Sequence, residues 1–333
     1  MRNFISEDDI EQAILQKLEG DPFQYGILRC DPSPDKRELL PDGTGRSSKK
    51  ECVLPLILRE ALARLNPDIP GEKLEEIARD LCRDFSATDM TATNYKYYNQ
   101  IRNGIKISLR RNGKEDFDFV KLVDFDRPEN NTFTAVSQMW IQGRVYWRRP
   151  DVLIFINGLP MVFVELKNSI VKVEEAYNDN LKNYLRDIPN LFAFNQICVL
   201  SNGLETRLGA FNATYNHFFE WLKVNSEKER PDRQALKEAG TVGESSVRYF
   251  IDGLLRKDRL VDYIENFIMF RNQKNKIIAK NHQYFGVNNL MESVKNRAEL
   301  QGKLGVFWHT QGSGKSFSCL LYTSDAADEA RSV

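Results

Sequence analysis

Apolar residues recur at helical spacing through Ile10, Ala13, Ile14 and Leu18, and Ser6 precedes them with Asp9 three residues on. This pattern predicts a capped amphipathic first helix, with Glu11 set among its apolar positions. The stretch from Cys30 to Lys50 is crowded with Pro, Gly and Ser and predicts a mobile loop. Helices are expected at roughly 51–65 and 72–84. From Gly104 the period shortens: IKISLR, FDFVKLVDF and TFTAVSQMWI predict strands, with turns at Asn112-Gly113 and around 128–131. Two apolar strands then flank Asn157-Gly158. VEEAYNDNLKNYLRDIP predicts a crossover helix and QICVLSNG a further buried strand. Past a polar connector at 225–246, FIDGLLRKDRLVDYIENFIMF and HQYFGVNNLMESVKNRAELQG predict helices, and KLGVFWHT a short buried strand. This order fits an α/β fold, an α+β mixed sheet flanked by helices.

The hairpin RPDVLIFINGLPMVFVELKNS carries charges where a sheet core should be apolar: Asp151 at the start of its first strand, Glu165 and Lys167 at the end of its second. Burying an unpaired charge costs several kcal/mol, roughly 3 to 5 when a partner is missing. A divalent metal satisfies such a group. Two carboxylates and a strand carbonyl can hold Mg²⁺ with waters in place, and one such water can be activated beside a phosphate. Lys167 lies two residues from Glu165 and therefore on the same face, where its ammonium can orient that water or offset developing charge.

Register makes this reading refutable. A two-residue Asn157-Gly158 loop, which the Asn-Gly pair favours, would set Asp151 opposite Val164, facing away from Glu165. A three-residue loop, Asn157 to Leu159, or an equivalent bulge sets Asp151 opposite Glu165. The metal reading requires the second arrangement.

Composition narrows the class. A chain of 333 residues with 41% hydrophobic residues is that of a folded globular protein. It contains no apolar run of about 18 residues to span a bilayer, and its acidic start does not read as a signal peptide. The expectation is a cytoplasmic protein with no membrane partner. Five scattered cysteines, without a Cys-x-x-Cys pair, indicate neither a zinc site nor a disulfide framework. The 47 basic and 47 acidic residues cancel, so any nucleic-acid contact must come from local patches such as Arg144, Arg148, Arg149 and Lys172.

A second motif follows KLGVFWHT: Gln311, Gly312, Ser313, Gly314, Lys315 and Ser316. Backbone N–H groups of such a loop cradle phosphates, Lys315 reaches the β/γ oxygens and Ser316 can ligate Mg²⁺, which points to ATP. His309 stands where the usual pattern has Gly. Hydrolysis also requires an acidic strand end further on, so the chain as given is not expected to be an active ATPase. Cys319 to Glu329, CLLYTSDAADE, resembles the translation of a transposon-derived sequencing adapter, and 319–333 is read as a non-native tail.

Four segments in order, RPDVLIFINGLPMVFVELKN, IPNLFAFNQICVLSNG, NHQYFGVNNLMESV and GVFWHTQGSGKS, resemble the restriction (motor) subunit of type I restriction-modification enzymes, HsdR, over about residues 4–318. The resemblance implies a PD-(D/E)xK restriction-endonuclease-like core followed by the truncated start of a RecA-like, helicase-like P-loop domain. It implies an ATP-dependent endonuclease that cuts double-stranded DNA using Mg²⁺, alongside methyltransferase (modification) and specificity subunits. On it, 1–225 is the endonuclease domain, 226–255 a linker or helical connector, and 256–318 the start of the ATPase. Such subunits are much longer, so an N-terminal fragment is expected. Asp151 and Glu165 match the metal ligands, Lys167 the catalytic lysine, and Glu11 the first-helix acid, with Glu7, Asp8 and Asp9 its neighbours. Gly312, Ser313, Gly314, Lys315 and Ser316 fall in the nucleotide loop, and Gln283 falls where such motors read adenine. Asn180 and Tyr184 take the place of a Gln-x-x-x-Tyr pair; Asn is one methylene shorter, which leaves its reach open. Two other readings stay open: a different DNA-processing nuclease-helicase, or a non-catalytic docking module of a DNA translocase.

Overall fold

The computed structural model describes residues 4–83, 89–111, 114–301 and 318. The phosphate loop at 311–316 and the 319–333 tail lie outside the described residues, as does the Asn112-Gly113 turn.

The first helix, α1 (Glu7–Glu19), begins as the sequence predicts: the Ser6 side chain accepts the Asp9 N–H while the Asp9 carboxylate accepts the Ser6 N–H. After β1 (Gly26–Arg29), the 30–50 segment is irregular apart from one 3₁₀ turn. It is nevertheless anchored, because buried Arg46 and Lys49 both reach Asp42 Oδ2 at 2.7 Å. Burial of that triad ties down a loop whose composition alone suggests mobility.

Helices α2 (Pro55–Leu65), α3 (Gly71–Cys82) and α4 (Met90–Asn103) follow, then a two-stranded ribbon of β2 (Ile105–Arg111) and β3 (Lys114–Val120). Strands β4 (Phe133–Ser137), β5 (Ile141–Gln142) and β6 (Trp147–Arg148) lead into the hairpin strands β7 (Val152–Ile156) and β8 (Leu159–Leu166). A crossover of α5 (Val173–Glu175), a π-helical turn (Ala176–Leu181) and α6 (Lys182–Asp187) returns the chain to β9 (Ile197–Ser201). That strand pairs parallel to β8. With β10 (Thr206–Gly209) and β11 (Phe219–Glu220), the order β1-β4-β7-β8-β9-β10-β11 makes one mixed seven-stranded sheet.

Helices cover both faces, so the central strands are apolar throughout. Val152, Ile154 and Ile156 pack with α1, α2 and α4, whereas Leu153 and Phe155 pack with Phe163 and with Val173, Ala176, Leu181 and Tyr184 of the crossover. Downstream come α7 (Arg233–Lys237), α8 (Ser246–Leu254), α9 (Lys257–Asn266) and α10 (Asn281–Lys295). Residues from Val247 to Met291 join the same buried cluster as α1. One sequence expectation fails here: FIMF is not helical. Ile268–Arg271 (β12) pairs with Asn275–Ile278 (β13) around left-handed Asn272 and Gln273. The β-branched and aromatic residues of this segment prefer a pleated surface once a turn permits one. Cys30, Cys52 and Cys198 are buried and form no disulfide, and no helix among the described residues is long and apolar enough to cross a membrane.

Candidate functional site

The hairpin resolves its register with both devices. Asn157 (φ 51°) and Gly158 (φ 81°) form the tight two-residue turn their residue types favour, and Ile156 pairs with Leu159 and Phe155 with Pro160. Pairing then jumps to Ile154 with Val162, leaving Met161 as the extra residue of a β-bulge, and continues to Val152 with Val164. One step on, Asp151 falls opposite Glu165. The packing agrees: Met161 and Val162 are consecutive yet touch the same core cluster, as a bulge requires, while Leu153, Phe155 and Phe163 share the opposite face. Asp151 and Glu165 follow the parity of that second face. Pro160 has no N–H for the ladder, and strand prolines favour bulges.

Around the two carboxylates the structure gathers Glu11, Gln138, Asn180, Tyr184 and Lys167. Asp151 Oδ2 accepts the Leu166 N–H at 2.7 Å. Glu165 is buried; its Oε1 accepts from Asn180 Nδ2 and lies 3.5 Å from Lys167 Nζ. From α1, Glu11 accepts the Gln138 amide, whose Nε2 is also 3.5 Å from Asp151 Oδ1. Burial pushes all three acids up. Glu11 rises to about 7, with the nearby Asp151 carboxylate adding to the effect, and Asp151 rises to about 6. Glu165 is raised well above the usual range by burial and by Asp151, against the pull of Lys167, Tyr184 and Asn180. Closely set acids that resist ionisation are the electrostatic signature of a place for a cation.

Two buried oxygens in this cluster, Glu165 Oε2 and Gln138 Oε1, have no hydrogen-bond partner. An orphaned buried acceptor is costly, and a hard cation satisfies it. Among the described residues, no group of three or more Asp, Glu, His or Cys side chains stands ready to hold a metal ion. Asp151 and Glu165 could hold a cation together with neutral oxygens, a donor set that suits Mg²⁺.

The crossover helix answers the question of reach. Asn180 lies in the π-helical turn, and from there its shorter side chain contacts Glu165. Tyr184, on α6, is buried against Phe163 with ring centroids 5.3 Å apart, and its hydroxyl donates to the Arg149 carbonyl at 3.0 Å. Burial raises its pKa strongly, with Glu165 as a further cause. In the basic segment before Asp151, Arg148 pairs with Asp187 and Arg149 lies over Trp140, while Arg144 and Lys172 are exposed. Gln283 is buried in the first turn of α10, where its Oε1 accepts the Lys280 N–H at 2.8 Å. Gly312, Ser313, Gly314, Lys315 and Ser316 lie outside the described residues. Sequence reasoning missed Gln138: in SQMWI it reads as an ordinary strand residue, and nothing in that pattern signals its left-handed backbone, φ 56°.

The family model described as the type I restriction enzyme R protein N terminus matches residues 4–217, a span that includes every member of this cluster. The chain belongs to this family. A second model, the SWI2/SNF2 ATPase, matches residues 282–332. Among type I relatives, the chain is similar to the type I restriction enzyme HindI endonuclease subunit of Haemophilus influenzae, with 33% identity over 96% of this chain and 30% of that protein. A putative type I restriction enzyme MjaIXP endonuclease subunit of Methanocaldococcus jannaschii is 29% identical over 95% of the chain and 31% of its own length. The SauCOLORF180P endonuclease subunit of Staphylococcus aureus is 28% identical over 64% and 21%. The chain thus spans less than a third of the length of these type I relatives.

Proposed function

We propose that the Asp151–Glu165–Lys167 centre is the PD-(D/E)xK nuclease site of a type I restriction subunit, hydrolysing phosphodiester bonds of double-stranded DNA with Mg²⁺. The observation that carries this reading is the bulge at Met161, which sets Asp151 across from Glu165 instead of Val164. Two strand-borne carboxylates with a lysine two residues on then share one face. Asp151 and Glu165 would hold the metal, which when bound supplies charge neutralisation and an acidified water. Lys167 Nζ, 3.5 Å from Glu165, is placed to orient the attacking water and offset charge on the phosphate. Asn180 fixes the Glu165 carboxylate, and Tyr184 braces the helix against the strand entry at Arg149. Arg144 and Lys172 are exposed near this centre in sequence and supply positive charge for the DNA backbone.

The wider assignment rests on kinship. The relatives' names support a restriction endonuclease, and the match to the SWI2/SNF2 ATPase supports an ATP-binding motor beginning in the last part of the chain, with Gly312 to Ser316 as its phosphate loop and Gln283 near adenine. The corresponding partners are DNA and the modification and specificity subunits, in the cytoplasm. The test is Mg²⁺-dependent DNA cleavage by the full-length complex carrying Asp151→Ala or Lys167→Ala. Lost cutting with ATPase and translocation retained supports the proposal. Undiminished cutting by both variants rejects it.

A further inference from the structure

We infer that Gln138 is a third protein ligand of the cation, through its side-chain amide oxygen. This rests on the proposal that Asp151 and Glu165 form a metal-dependent site. Gln138 directly follows β4 and adopts a left-handed backbone, φ 56°, which a non-glycine residue takes at a cost of order 1 to 3 kcal/mol. Its N–H bonds to the Asp151 carbonyl at 3.0 Å, locking this geometry to the entrance of β7. One step beyond the Ser137–Val152 pair, Gln138 falls opposite Asp151, and its amide reaches Glu11.

The orientation of the amide follows from charge. Nε2 donates to Glu11 Oε2 and lies 3.5 Å from Asp151 Oδ1. Turned over, Oε1 rather than Nε2 would face the ionised forms of Glu11 and Asp151. Held as it is, Oε1 is buried with no partner, and Glu165 Oε2 of the same centre is equally bare. An amide oxygen is a good ligand for a hard cation, and Mg²⁺ sites draw on few carboxylates. Beside the two strand carboxylates, a neutral amide oxygen adds a donor without adding charge. Gln138 supplies one already oriented by Glu11, which makes Glu11 a positioning residue acting through that amide.

The experiment measures Mn²⁺ binding, by paramagnetic resonance of the free ion, to the nucleotide-free full-length subunit, with thermal melts in the absence and presence of Mn²⁺. Asp151→Asn reports on the site itself and should abolish the tight class of binding. Gln138→Met, close in volume but without the oxygen, should weaken that class about tenfold. Gln138→Glu should melt lower than wild type without metal and gain more from Mn²⁺. Wild-type affinity in Gln138→Met, while Asp151→Asn binds no Mn²⁺ tightly, overturns the role of Gln138 and leaves the site reading standing. No tight binding by wild type, or binding indifferent to Asp151→Asn, overturns both. Should Gln138→Met fail to fold, Gln138→Glu decides: a Mn²⁺-induced rise in Tm no larger than that of wild type overturns the inference.

Discussion

Asp151 accepts the Leu166 N–H through Oδ2 at 2.7 Å, so the strand that carries Glu165 also seats the carboxylate facing it. In Asp151→Asn the side-chain oxygen can keep that bond while the negative charge disappears. Because burial already disfavours ionised Asp151, the variant should fold at least as stably as wild type without metal at pH 8. DNA cleavage by the full complex should fall at least about a hundredfold. Melting curves beside a cleavage assay check both halves; cleavage within a few-fold of wild type contradicts the assignment.

The same acids set a pH dependence. Glu11 rises from 4.5 to about 7 and Asp151 from 3.8 to about 6. A raised folded-state pKa means that the folded protein holds protons the unfolded chain has released. The associated stability is therefore full below the unfolded values and lost as pH climbs through the folded ones. Metal-free protein should lose Tm between about pH 4 and about pH 7. The loss should be smaller in an Asp151→Asn, Glu11→Gln double variant. Equal slopes for the two proteins would show that these carboxyls do not carry the effect.

Asn180 contacts Glu165 from a π-helical turn, and Glu165 is buried. Asn180→Ala removes a donor from a buried carboxylate and should lower cleavage about tenfold or more, with a modest loss of Tm. Asn180→Gln restores the length of the Gln-x-x-x-Tyr pattern but adds a methylene between a helix and a carboxylate already in contact. We expect it to be less active than wild type here, because overpacking displaces the carboxylate it should steady. Higher activity in Asn180→Gln would show that the π turn does not compensate for the shorter side chain.

Gly158 sits at φ 81°, and a Cβ there would meet Leu54 O at 2.6 Å and Leu58 N at 2.8 Å. These are backbone atoms of α2 and its N-cap, which cannot swing aside. Gly158→Ala should cost at least about 2 kcal/mol, read as a lower denaturation midpoint with an unchanged slope. A midpoint within error of wild type would mean that the turn is free to move off α2.

The hairpin charges, the Asn-Gly turn and the crossover helix were legible because each depends on local residue type and period. The bulge was legible only through the two carboxylates, not through Pro160, which has no N–H for the ladder. Other features depended on distant partners. Gln138 looks like any strand residue until Glu11, more than a hundred positions away, captures its amide. Ile268–Arg271 reads as the tail of a helix because its apolar run is too short to reveal a period. The anchoring of the 30–50 loop depends on buried Arg46 reaching the Trp140 carbonyl at 3.1 Å, which composition does not disclose.

Lys276, on β13, makes the last test. It is buried, and its Nζ donates to Asn195 O at 2.6 Å, Gln196 Oε1 at 2.7 Å and Asn94 Oδ1 at 3.1 Å. It thereby fastens the β12–β13 hairpin to α4 and to the entrance of β9. Lys276→Met keeps the bulk but strands two buried acceptors, Gln196 Oε1 and Asn94 Oδ1, each worth about 1 to 3 kcal/mol when unsatisfied, while Asn195 O keeps the Asn94 amide at 2.7 Å. The variant should be less stable than wild type. Burial depresses the lysine pKa strongly. The folded state therefore holds this proton less tightly than the unfolded chain does, and wild type gains stability as pH rises toward the unfolded value of about 10.4. The gap in Tm between wild type and Lys276→Met should be wider at pH 9 than at pH 6. A gap that stays constant or narrows with rising pH would mean that burial does not depress this lysine, and a variant as stable as wild type would mean that Gln196 Oε1 and Asn94 Oδ1 are satisfied without it.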